Sequence, residues 1–240
     1  MPDRDDKTYV FDNFDKKVIV LRDPRSPEAE SYRSLRTNIL RSNLDLPPRV
    51  LLFTSAHPEE GKSITSVNLA IVLAEIGKKT LLVDCDLRRP AAHTILGMDK
   101  FPGLSEVLYG TEDWDRVLKT CGVENLRIIT SGNIPRNPAE IIGSDKMKLF
   151  LEEVRNVFDI IILDAPCILA VTDALILSSL ADVVLVVAMA EKTPREAVQR
   201  SLAMLKDVKS NILGMIFNRV NLRRSHYYYY YYYGTRRKQR

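Results

Sequence analysis

The sequence predicts an α/β fold, a doubly wound and mainly parallel sheet, and two observations carry that prediction. Short runs of Val, Ile and Leu recur along the 240 residues, and they are continuous rather than alternating, as strands buried on both faces are. The stretches between them, such as SITSVNLAIVLAEIG and TPREAVQRSLAMLKDV, space their apolar residues as helices do. Strand and helix therefore alternate. With 45 % apolar residues, a chain of this length can bury one core of that kind, so a single domain with tails is expected.

The strand candidates, in order, are VIVL from Val18, RVLLFTS from Arg49, KTLLVD from Lys79, LRIITS from Leu126, DIIILD from Asp159, DVVLVVA from Asp182 and NILGMIFN from Asn211. Residues 1–25 read as an N-terminal extension. The prolines of PRSP (Pro24 to Pro27) punctuate the chain before a helix over 28–43, which begins with acids as helix amino termini prefer. The domain proper spans 26–220, and 221–240 is a flexible tyrosine-rich basic tail. In sheets of this class ligands sit beyond the carboxyl ends of the strands.

Charge and cysteine content narrow the setting. From Arg219 onward there are seven basic residues and no acidic one, which leaves 28 basic against 31 acidic before it. Such a tail suits nucleic acid, an anionic membrane surface, or a segment that visits a phosphate-bearing site. Cys85, Cys121 and Cys167 have neither paired nor zinc-binding spacing, which fits a reducing cytoplasm. The start, MPDRDDKTYVFDNFDKK, is too charged for a signal peptide, and apolar runs such as VVLVVAMA are of strand length. Membrane contact is expected only through a partner.

After the second run comes AHPEEGKS, that is Ala56, His57, Pro58, Glu59, Glu60, Gly61, Lys62 and Ser63, followed by Ile64 and an apolar helix. A small residue, four free positions and Gly-Lys-Ser between strand and helix form a phosphate loop. Its backbone amides and the helix amino terminus point at phosphates, Lys62 bridges the outer ones, and the Ser63 hydroxyl binds magnesium. Glu59 and Glu60 are compatible with an anion site only if they point away from it. LLVD ends at Asp84, with Asp86, Arg88 and Arg89 next, and IIILD ends at Asp164. One strand-end aspartate holds magnesium in any phosphate-loop nucleotidase. A second pair exceeds that need, and alternation puts Asp84 and Asp86 on one side, one for the metal and one for an incoming nucleophile. Arg88 and Arg89 suit either phosphates or the hold on their own loop. Asn218 and Arg219, at the end of the last run, sit where related nucleotidases read the base.

VLLFTSAHPEEGKS, LLVDCDLRRP and IIILDAP, in this order, resemble the A, A-prime and B motifs of the bacterial protein-tyrosine kinases (BY-kinases) of capsule and exopolysaccharide synthesis. PRSPEAESYRSLRTN and the tyrosine-rich tail resemble that family's two other elements, so the likeness runs from about Ser26 to the end. It implies a phosphate-loop nucleotidase fold of the deviant-Walker (MinD/ParA-like) type, with ATP and Mg2+ as ligands. It further implies that Lys62 and Ser63 hold phosphates and metal, that Asp86 and Asp164 support the metal, and that Asp84 lies nearest the acceptor hydroxyl and takes its proton. Glu30, Arg33 and Arg36, three apart on one helix face, resemble the oligomerisation motif that closes a ring of subunits. Tyr227, Tyr228, Tyr229, Tyr230, Tyr231, Tyr232 and Tyr233 would then be phosphorylated in a neighbour's active site. The implied partners are copies of the chain itself, the cytoplasmic segment of a membrane activator, a protein-tyrosine phosphatase and tyrosine-bearing protein substrates, with no nucleic acid. The implied location is the cytoplasm, at the inner face of the membrane. The usual PGEGKS reads PEEGKS here, and position 57 is histidine where partition ATPases typically carry a lysine. A partition-type ATPase switch and a non-catalytic nucleotide-binding scaffold are the competing readings.

Overall fold

The computed structural model describes residues 14–42 and 47–220. Six strands, β1 Val50–Ser55, β2 Thr80–Asp84, β3 Leu126–Ile129, β4 Ile160–Asp164, β5 Val183–Met189 and β6 Ile212–Asn218, form one sheet in the order β3-β2-β4-β1-β5-β6. All the pairings are parallel. The helices are α1 Ile19–Arg22, α2 Pro27–Leu40, α3 Lys62–Ala74, α4 Ala92–Ile95, α5 Leu104–Tyr109, α6 Pro138–Ile142, α7 Asp145–Arg155, α8 Asp173–Ser178 and α9 Arg195–Asp207.

Strand alternation explains the two cores. Leu51 and Phe53 of β1 face a cluster built with Val67 and Ile71 of α3, whereas Val50 and Leu52 face one built with Met147 and Phe150 of α7. The central strands therefore need apolar residues at every position, and β1, β2 and β4 are buried throughout. All carboxyl ends of the parallel strands lie at one edge of the sheet, which gathers Ser55, Asp84 and Asp164 there.

The first apolar run corrects the sequence reading. VIVL is not a strand; most of it forms α1, with Val18 and Val20 fully buried beside Phe14 against α3. The amide that a neighbouring strand would engage, that of Val20, instead donates to Asn68 Oδ1 of α3 at 3.2 Å, while Asn68 Nδ2 donates to the Lys17 carbonyl at 3.1 Å. The segment expected as an extension is thus docked on the body from Phe14 onward. Helix α2 stops at Leu40, short of the expected end, and starts where Ser26 Oγ accepts the Ala29 amide at 3.1 Å with Pro27 in the first turn.

Asn68→Ala removes both clamps and leaves the Val20 amide buried without its partner. The folded state is expected to lose about 1–3 kcal/mol, read as a lower melting temperature and earlier proteolytic cleavage within residues 14–26. An unchanged cleavage pattern would contradict the clamp.

Candidate active site

The phosphate loop runs from the end of β1 to the start of α3. Gly61, the residue before the helix, has φ 96° and ψ 18°, and no side chain caps the helix start, so first-turn amides remain available to an anion. A Cβ at Gly61 would lie 1.8 Å from Asn218 Nδ2, so glycine is required by both conformation and space. Glu59 takes up a left-handed conformation as well, with φ 64°, at a position where the family's glycine would adopt it freely. Its side chain is exposed.

Glu60 answers the question its charge raised. It is 4 % exposed and is absent from the lining of the cleft, which holds Pro58, Glu59, Gly61, Lys62, Ser63 and Ile64 of the same segment. Its carboxylate accepts the Thr193 hydroxyl at 2.6 Å and the His57 amide at 3.1 Å. Ala56 is buried, and the His57 carbonyl accepts the Ser55 hydroxyl at 2.8 Å. Asn218, expected to read the base, lines the cleft but donates its side-chain N–H to the Glu60 carbonyl at 3.0 Å and accepts the Arg219 amide at 2.8 Å. It holds the loop.

Asp84 and Asp164 are register partners on adjacent strands, and Lys62 enters between these strand ends and the A-prime loop. Lys62 Nζ stands 3.0 Å from Asp86 Oδ2, 3.8 Å from Asp164 Oδ1 and 3.2 Å from Ser63 Oγ. Burial opposes its ammonium, but Asp164 and Asp86 outweigh burial and hold Lys62 well above its ordinary pKa, so it stays charged. Neither buried oxygen of Asp164 makes a hydrogen bond. Burial pushes its carboxyl up, against the pull of Lys62 and of the nearby Ser63 and Ser66 hydroxyls. Burial, then the Asp164 charge, push Asp84 up to about 7.

Asp84 and Asp86 do not share one environment, contrary to the expectation from alternation. Asp84 is fully buried, its oxygens taken by the amides of Asp86 at 3.2 Å and of Ala91 and Ala92 at 3.0 Å; it shapes the loop. Asp86, beyond the strand, lines the cleft and accepts the Arg89 amide at 2.9 Å. Three carboxylates around one ammonium leave net negative charge at the mouth of an anion-binding loop, and neither Asp164 oxygen makes a close hydrogen bond, the Lys62 ammonium standing 3.8 Å away. Ser63, Asp86 and Asp164 are therefore a fitting donor set for a hard divalent cation.

Two contacts that support the loops were not legible in the sequence. Asp173, fully buried at the start of α8, receives the Arg88 guanidinium in a fork, Nε at 2.9 Å and Nη2 at 3.0 Å, which ties the A-prime loop to the segment after β4. VTDA reads as an ordinary helix start. Thr193, in the turn after β5, gave no signal in sequence. Of the ring candidates, Arg33 pairs with Glu30 at 3.3 Å and with the Pro24 carbonyl at 2.8 Å, and Arg36 donates to the Val72 carbonyl at the end of α3 at 2.7 Å. All three are partly exposed on α2. The tyrosines 227–233 lie outside the described residues.

An all-parallel sheet with this loop, an A-prime aspartate pair and a B aspartate defines a phosphate-loop nucleotide-binding protein of the deviant-Walker type. An AAA domain family model matches residues 57–217. The chain is 40 % identical over 203 residues to tyrosine-protein kinase YwqD of Bacillus subtilis, covering 85 % of this chain and 86 % of that one. It is 35 % identical over 197 residues to the putative tyrosine-protein kinase CapB of Staphylococcus aureus, covering 82 % and 86 %. The solved kinase domain of Escherichia coli tyrosine kinase ETK superposes with a TM-score of 0.81 at 32 % identity, over 84 % of this chain and 79 % of that one. The chain belongs to the bacterial tyrosine-protein kinase (BY-kinase) family and is a tyrosine-protein kinase.

The raised pKa of Asp84 gives a signed prediction. An acid that binds its proton more tightly when folded stabilises the fold fully below its unfolded pKa and loses that contribution as pH rises toward its folded value. With chelator and no nucleotide, the stability difference between Asp84→Asn and wild type should shift toward the variant as pH rises from about 4 to 7. A difference independent of pH in urea titrations would contradict it.

Proposed function

We propose that the chain transfers the γ-phosphoryl group of ATP to the tyrosines 227–233 of a neighbouring copy within a ring, and thereby regulates capsular or exopolysaccharide synthesis and export. The observation that carries this reading is Lys62 held among Asp84, Asp86 and Asp164 at an uncapped phosphate loop. Positioning and charge neutralisation dominate phosphoryl transfer. Lys62, permanently protonated, exchanges its aspartate partners for the outer phosphates, while the loop amides and the start of α3 bind the inner ones. Ser63, Asp86 and Asp164 would hold magnesium, which when bound neutralises charge on the phosphates. A phenol with a pKa near 10 releases its proton late. The family resemblance gives that proton to Asp84, and Asp86 is the member of the pair that an acceptor entering the cleft meets first.

Glu30, Arg33 and Arg36 on α2 are the surface assigned to ring contacts, with arginines of one subunit against acids of the next. Arg36 joins that surface to the far end of the phosphate-loop helix. Among the described residues no helix is long and apolar enough to cross a membrane; recruitment to the inner face of the membrane is assigned to the cytoplasmic segment of an activator. Each added phosphate brings about −1.5 to −2 charges at neutral pH, so several overturn the basic charge of the tail, repel it from the acidic site and loosen the ring. A protein-tyrosine phosphatase resets it, and other tyrosine-bearing proteins are further substrates.

Mixing two variants tests transfer between copies. One carries Lys62→Met with its tyrosines intact; the other keeps Lys62 and has tyrosines 227–233 replaced by Phe. With ATP, magnesium and the activator segment, phosphotyrosine is expected on the tail of the Lys62→Met chain, which alone should be slowed about 100-fold or more. Absence of label on that chain, under conditions where wild type labels itself, would rule out transfer in trans.

A further inference from the structure

The phosphate loop is braced from outside its own strand and helix. We propose that Thr193 is a positioning residue for phosphoryl transfer, acting through the Glu60 carboxylate on the loop amides. This rests on reading residues 56–63 as the nucleotide site.

A carboxylate in a loop that must receive phosphates is a liability, because it repels the ligand and competes for the same amides. The fold holds Glu60 out of the cleft by giving each of its acceptor groups a partner, two of them outside the loop. Oε1 takes the Thr193 hydroxyl at 2.6 Å, Oε2 takes the His57 amide at 3.1 Å, and the backbone carbonyl takes Asn218 Nδ2 at 3.0 Å. The Thr193 hydroxyl is itself oriented, since it accepts the Met189 amide at 2.8 Å and so has its one proton free for Glu60. A hydrogen bond to a buried carboxylate is stronger than one between neutral groups.

The bracing elements are the ends of two strands the loop does not belong to. Met189 closes β5, Asn218 closes β6, and the Ala190 amide donates to the Asn218 carbonyl at 2.9 Å. Glu60 and Gly61 are pinned against this pair, Gly61 by the contact that excludes a Cβ. Remove the Thr193 hydroxyl, and a carboxylate that is 4 % exposed loses a donor it cannot replace with water. The donors left to it in the loop are backbone amides of the kind it already takes from His57, which the phosphates need.

The test uses the full chain with Thr193→Val, which keeps shape and removes the hydroxyl, and Thr193→Ser, which restores it. Thr193→Val should weaken Mg·ADP binding and raise KM for ATP about tenfold, as loss of one hydrogen bond to a charged group implies, while Thr193→Ser stays within about twofold of wild type. On a Glu60→Ala background, Thr193→Val should add no further loss, because its route is gone. Thr193→Ala takes the place of Val if Val prevents folding. Wild-type affinity in the hydroxyl-less variants, or losses that add in full on the Glu60→Ala background, would overturn the proposal. Failure of wild type itself to bind Mg·ADP would instead overturn the nucleotide-site reading.

Discussion

A single ammonium, that of Lys62, stands among three aspartates at the carboxyl edge of the sheet, and much of the fold exists to keep it there. Asp84 and Asp164 face each other across adjacent strands, fully buried, and burial raises both carboxyls, with the Asp164 charge adding to it at Asp84 and the Asp86 charge at Asp164. Unrelieved burial of such charge is costly. Lys62 relieves part of it from 3.8 Å, and the Asp164 oxygens, which make no close hydrogen bond, mark what it leaves unrelieved. Excess negative charge beside amides aimed at an anion suits a cation and a phosphate together, and this charge pattern supports the proposed binding of metal-bound nucleotide.

The supports around this cluster come from every neighbouring element. The Ala91 and Ala92 amides hold Asp84, the Arg88–Asp173 fork holds the A-prime loop, and β5 and β6 hold the phosphate loop through Thr193 and Asn218. On the outer side, α2 and the docked residues from Phe14 onward grip α3 through Arg36 and Asn68. Helix α3 begins at Lys62, so the face of α2 proposed for ring contacts is joined through Arg36 to the helix that starts at the proposed phosphate site.

What could be read from sequence was what depends on local pattern. Six of the seven apolar runs became strands; burial on both faces leaves a continuous signature in the inner ones, whereas β6, at the sheet edge, is only partly buried, and the loop, Asp84, Asp86 and Asp164 were legible because they follow such runs. VIVL was misread because four apolar residues serve equally as a buried strand or as the foot of a docked segment; only Asn68, 48 residues away from Val20, decides. The direction of Glu60 and the purpose of Arg88 were equally hidden, since Thr193 and Asp173 reach them from distant parts of the chain. Asp84 and Asp86 looked alike by spacing, yet Asp86 lies beyond the strand end, where alternation no longer governs side-chain direction.

The pairing of cation and phosphate at Asp164 is open to one direct measurement. Calorimetric titration of ADP, with and without magnesium, into wild type and Asp164→Asn separates the metal's contribution from that of the loop. Magnesium should tighten ADP binding to wild type by about tenfold or more and should do little for the variant, while metal-free affinity in the variant is kept or improved as a repelling carboxylate is lost. The same tightening by magnesium in both proteins would contradict the role of Asp164 and the reading of the cluster as a metal–phosphate site.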